Sequence, residues 1–171
     1  MTVIALSVVL AAAVAVLVKA EMKGRRDLVL VAKPAASLAF VLVGVSRFEP
    51  GHGYDAWVLL ALLLCFAGDL LLMLRRGFVP GLASFLLGHL AYVVAFSVLL
   101  LPRSWPIVWA LPPLVVSTVA AAWLSPHLGR LRGPVVACVA GITVLVGGAG
   151  AVTVVGRGPW FLAAGAILFY L

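Results

Sequence analysis

Residues 54–74 read YDAWVLLALLLCFAGDLLLML. No charge interrupts the stretch between Asp55 and Asp69, and the apolar run then resumes until Arg75 and Arg76 end it. About 20 apolar residues is the length a helix needs to cross a hydrocarbon core of ~30 Å. The stretch has no period-two alternation, which argues against a transmembrane β-strand. In lipid, backbone groups must bond within their own segment, so a block of this kind becomes a helix.

Working outward, the same pattern recurs along the chain. It predicts helices over about Thr2–Val18, Leu28–Ser46, Tyr54–Leu74, Phe78–Leu101, Trp105–Leu124 and Gly133–Val155, with a seventh starting near Pro159 and running to Leu171. The expected fold is all-α: a single polytopic transmembrane helix bundle of about seven membrane segments, spanning residues 1–171. Residues 159–171 are short for a span and carry no polar cap or basic stop, so the natural protein is expected to continue. The N-terminal run has no basic region before it, unlike a signal peptide.

Composition agrees. The chain is 65% apolar and 10% charged, too little polar surface for a water-soluble domain. Its net charge of +7 does not indicate nucleic acid, because the basic residues stand singly or in pairs between the apolar blocks. Such charges set topology and meet anionic headgroups. Loops joining the first and second, third and fourth, and fifth and sixth segments hold eight Lys and Arg, against three in the alternate loops. The basic loops are therefore expected in the cytoplasm and the N-terminus outside, in a multi-pass cell-membrane protein.

Proline and glycine punctuate the helices. Pro80, Pro106, Pro134 and Pro159 are expected in first turns, where a missing N–H costs little. Pro112 and Pro113 are expected to kink the fifth helix. Gly147, Gly148 and Gly150 are expected to permit close packing on the sixth.

An ionisable group inside a membrane segment needs a reason to be there. Three qualify: Lys33, Asp69 and His89. Lys33 and Asp69 each lie about five residues from the predicted cytoplasmic ends of their helices, ~8 Å deep at 1.5 Å per residue. They are placed to face one cavity. Phe66, Asp69 and Met73 follow helical spacing, as do Phe85, Gly88, His89 and Tyr92, and Ser37 lies one turn beyond Lys33.

Each also has a plainer reading: a snorkelling lysine, a structural ion pair, a hydrogen-bonded core histidine, packing aromatics. His52 and His127 fall in loops on opposite sides, so a three-histidine zinc site with His89 is not expected. Cys65 and Cys138 lie in apolar blocks and read as packing thiols. No cofactor is expected.

Several strings occur in order: KPAAS at Lys33–Ser37, FAGDLLLM at Phe66–Met73, FLLGHLAY at Phe85–Tyr92, LRGPV at Leu131–Val135 and GAILF at Gly165–Phe169. In this order and spacing the chain resembles the YhhN-like lysoplasmalogenase family of multispanning membrane proteins. Two departures stand out. Cys138 occupies a place where the family usually has an aromatic residue, and the Ser-Asp that normally follows the GAILF-like string would lie just past Leu171.

The resemblance implies eight spans and hydrolysis of the vinyl-ether bond of lysoplasmalogens, giving a fatty aldehyde and a glycerophospho-base. A lysophospholipid or ether lipid would then be the substrate, amid membrane lipids. Asp69, His89 and Tyr92 become the candidate catalytic residues, and Lys33, Ser37, Phe66, Met73 and Phe85 the candidate substrate-binding residues. Two roles for Asp69 stay open: general acid if Lys33 binds phosphate, or charge stabiliser if Lys33 pairs with it. The residues alone also leave open a small-solute or lipid transporter and an inactive membrane scaffold, although the internal repeats and matched broken helices of a transporter are not seen.

Overall fold

Uncharged blocks of this length satisfy their backbone as helices, and the computed structural model shows them so. It describes residues 11–12, 14–16, 18–19 and 22–170, and among these there are helices and short 3-10 turns but no strand. The described helical positions within 11–22 are labelled α1; residues 2–10, 13 and 17 of the first expected segment lie outside the described residues. Then come α2 (Arg26–Ser46), α3 (Gly53–Leu72), α4 (Phe78–Leu99), α5 (Leu111–Leu124), α6 (Arg132–Val154) and α7 (Trp160–Tyr170).

Among the described residues, four helical stretches are long and apolar enough to cross a membrane: Leu28–Ser46, Gly53–Leu72, Phe78–Leu99 and Gly129–Val154. Their outer faces carry large exposed apolar side chains, among them Val31, Leu87, Val98 and Val144. Apolar surface this extensive belongs against lipid, not water. The chain is an α-helical membrane protein.

Neighbouring helices pack in the order α2, α3, α4, α6, with α5 and α7 both against α6. The tightest seam is α3–α4, built on a stripe of small buried residues of α4: Gly81, Ser84, Gly88, Ala91 and Ala95. At Gly88 a β-carbon would come within 2.9 Å of Cys65 Sγ and 3.3 Å of the Ala61 carbonyl. Ser84 donates to the Leu64 carbonyl at 2.7 Å. Small side chains let two backbones approach, the usual basis of helix association where lipid competes for every apolar contact. The core proper is Phe96, Leu145, Ala149, Val152 and Ala166, joining α4, α6 and α7.

The fifth helix corrects the sequence reading. It starts at Leu111, not Trp105, and Pro112 and Pro113 stand in its first turn and do not kink its middle. A helix running through them would lose two hydrogen bonds and press each ring on the carbonyl four residues back, whereas a first turn needs neither donor. Residues 102–104 and 107–109 form 3-10 turns instead. Trp105 donates its indole N–H to the Leu100 carbonyl at 2.9 Å. Gly147, Gly148 and Gly150 of α6 do accept close neighbours, but these are Ala110 and the Trp105 and Trp109 side chains of this turn segment.

Candidate functional site

The site begins on one edge of α2. Ala32, Ala36 and Ala39 are buried against the bundle, and Lys33 and Ser37 flank that strip one helical turn apart. Pro34 stands inside the helix between them. It removes the N–H that would bond the Leu30 carbonyl, so the helix is weakest at the turn carrying the polar pair.

Across the seam, Asp69 lies in the last turn of α3. That is a poor place for a carboxylate, because the free carbonyls of a helix C-terminus carry partial negative charge. Donors from α2 offset this. Lys33 Nζ sits 3.5 Å from Asp69 Oδ1, and the Ser37 hydroxyl donates to Asp69 Oδ2. At 3.5 Å the lysine contact is an ion pair and not a short hydrogen bond. The carboxylate side chain is 16% exposed and the lysine 38%, so the acid is the inner member and the ammonium the outer one.

Phe85 of α4 packs on Gly68, the residue before Asp69. A β-carbon at Gly68 would come within 2.9 Å of its ring; glycine there lets the ring rest on the α3 backbone one residue from Asp69. Phe66 is half-buried one turn before Asp69, and Met73, just past the end of α3, is 36% exposed one turn after it.

Lys33, Ser37, Asp69 and Phe85 thus gather at one end of the bundle. His89 and Tyr92 are turned elsewhere. His89 is buried and faces α6, with its Nδ1 4.0 Å from Cys138 Sγ and the Gly141 backbone close by. Tyr92 stacks on Phe96 at 6.3 Å between ring centroids and packs on the apolar core. It lies ~10 Å further along α4 than Phe85, at 1.5 Å per residue. Sequence spacing put Phe85, Gly88, His89 and Tyr92 on one broad face, but the helix divides that face between two neighbours: Phe85 and Gly88 meet α3, and His89 meets α6.

The model of the YhhN family matches residues 28–171. This chain belongs to the YhhN family. It is 33% identical over 123 residues to a protein named lysoplasmalogenase in Mycobacterium bovis and, at the same identity, to one of that name in Mycobacterium tuberculosis. Each match covers 65% of this chain and 46% of the relative, so the chain matches about half the length of these curated relatives. No solved structure matches it.

The strings that carry the YhhN resemblance fall on four helices and one helix start. KPAAS lies on α2, FAGDLLLM at the end of α3, FLLGHLAY on α4, LRGPV at the start of α6 and GAILF on α7. The first two supply Lys33, Ser37 and Asp69, so the polar cluster of this YhhN protein is made where two of the strings cross.

One polar contact was missed in the sequence: Ser117 on α5 and Thr143 on α6 are buried and share a hydrogen bond. Two hydroxyls on apolar helices give no spacing signal, so only the contact reveals them.

Proposed function

We propose that this chain belongs to an integral membrane hydrolase that cleaves the vinyl-ether bond of a lysoplasmalogen, with Asp69 as the carboxylate at the reacting centre. The observation carrying this reading is the convergence of Lys33 and Ser37 on the two oxygens of Asp69. The names of the two mycobacterial relatives support the substrate class.

A vinyl ether hydrolyses by protonation of its β carbon. The oxocarbenium ion so formed takes up water, and the resulting hemiacetal breaks its C–O bond to give an aldehyde and the glycerol hydroxyl. A carboxylate beside the oxocarbenium carbon stabilises the positive charge and takes a proton from the attacking water, as paired carboxylates do in glycosidases. Asp69 accepts from the Ser37 hydroxyl and pairs with the Lys33 ammonium, which is the bonding of a charge stabiliser and not of a proton donor. Asp69 therefore takes the stabilising role and the proton comes from a second acid. Lys33, the outer member, has N–H groups left to meet the substrate phosphate. With the basic loops facing the cytoplasm, the lipid enters from the inner leaflet, its headgroup at the Lys33 end.

The test is substrate discrimination by the purified protein. A 1-alkenyl lysophospholipid should release fatty aldehyde. The saturated 1-alkyl analogue, which has no double bond to protonate, should release nothing. Equal turnover of both, or of a 1-acyl lysophospholipid in preference to either, would remove the vinyl-ether chemistry.

A further inference from the structure

The bundle also carries a concavity away from the Asp69 cluster. An open groove of about 470 Å³ runs between α5 and α6, lined by Ser117, Ala121, Val136, Ala140 and Thr143, with Arg132 at one end. Three of its hydroxyls are already engaged. Ser117 pairs with Thr143, Thr143 also bonds the Val139 carbonyl at 2.6 Å, and Thr118 bonds the Leu114 carbonyl at 2.7 Å. The groove therefore behaves as an apolar channel with one cation at its mouth. Its α6 wall runs from Arg132 to Val144, ~18 Å at 1.5 Å per residue, a little over half of a ~30 Å hydrocarbon core. That is the acyl depth of one leaflet.

Charge supplies the second, independent observation. From Leu70 to Leu171 the sequence holds no Asp or Glu, yet it holds Arg75, Arg76, Arg103, Arg130, Arg132 and Arg157. Neither the Lys33–Asp69 nor the His52–Glu49 ion pair involves Arg132. No side chain from Leu70 to Leu171 carries the charge complementary to that guanidinium. A guanidinium matches a phosphate in two parallel hydrogen bonds.

We propose that the α5–α6 groove holds one acyl chain of an anionic phospholipid, with its phosphate on Arg132. Arg132 is the sole ionisable side chain of this lining, so the lipid is retained there and not cleaved.

Native mass spectrometry of the purified chain with phosphatidylglycerol and with phosphatidylcholine tests this. Wild type should hold phosphatidylglycerol more tightly. Arg132→Gln should weaken that lipid about fivefold, the effect of one basic residue at an anionic headgroup, and weaken phosphatidylcholine less, because choline already balances its phosphate. Ala140→Phe and Ala122→Phe both replace exposed alanines of the groove. Whichever keeps the wild-type melting temperature should lose both lipids. Equal binding of the two lipids by wild type, or undiminished phosphatidylglycerol on Arg132→Gln, overturns the proposal. So does a dimer that a groove-filled variant disperses, since the face would then belong to a second copy.

Discussion

Two of the seams that bury polar groups in this bundle solve the problem differently. Between α5 and α6, Ser117 and Thr143 satisfy each other, and Thr143 also bonds its own helix. Between α2 and α3, Asp69 draws on α2 for both donors. A hydroxyl can donate and accept, so it can be closed within a helix and is cheap to bury. A carboxylate only accepts, and its own helix C-terminus offers more acceptors. The first seam is therefore structural, and neither helix depends on it. The second makes α2 a required partner of α3, and only that seam holds a group able to stabilise a cation.

The comparison is broken most severely by moving α3 itself. Gly88→Leu would push a side chain into Cys65 and the Ala61 carbonyl. Overpacking of this kind should cost about 1–3 kcal/mol, read as a fall in thermal stability in detergent, and aldehyde release should fall with it because Asp69 shifts off α2. Next, Ser37→Ala removes a donor from a largely buried carboxylate. The expected loss is about 1.5 kcal/mol, the low end for a hydrogen bond to a charged group. Lys33→Met should cost less, under about 1 kcal/mol, because the 38%-exposed ammonium is screened and entropically costly to hold. Its larger effect should be on KM for phosphate-bearing substrates. The smallest effect belongs to the hydroxyl seam: a Ser117→Ala, Thr143→Ala double-mutant cycle should give a coupling of about 0.6 kcal/mol, the average for hydrogen bonds between membrane helices. A coupling there larger than that of Ser37 with Asp69 would reverse the ranking of the seams.

The sequence carried the helices themselves well, because length and apolarity are read directly from it. The ends expected at Leu28, Tyr54 and Gly133 stand within two residues of the observed starts of α2, α3 and α6. The shared depth of Lys33 and Asp69 was also legible, since rise per residue converts position into depth. Helix rotation was not. Most of these helices are apolar on every side, and no polar stripe shows which face turns inward. That is why His89 and Tyr92 were grouped with Asp69 although α4 turns them toward α6 and the core. A signal for rotation did exist in the small-residue stripe Gly81, Ser84, Gly88, Ala91 and Ala95, which marks the face of α4 that accepts close neighbours. The start of α5 was misplaced for a different reason. Hydropathy runs evenly through Trp105–Leu124, and only the requirement that Pro112 and Pro113 open a helix locates its first turn.

The central claim is that the Asp69 carboxylate stabilises the cationic intermediate. Its most direct test is the rate of fatty aldehyde release from lysoplasmalogen by Asp69→Asn, which keeps the shape and removes the charge. The account predicts a fall of about 100-fold or more in a protein that still folds. Release at the wild-type rate would contradict it.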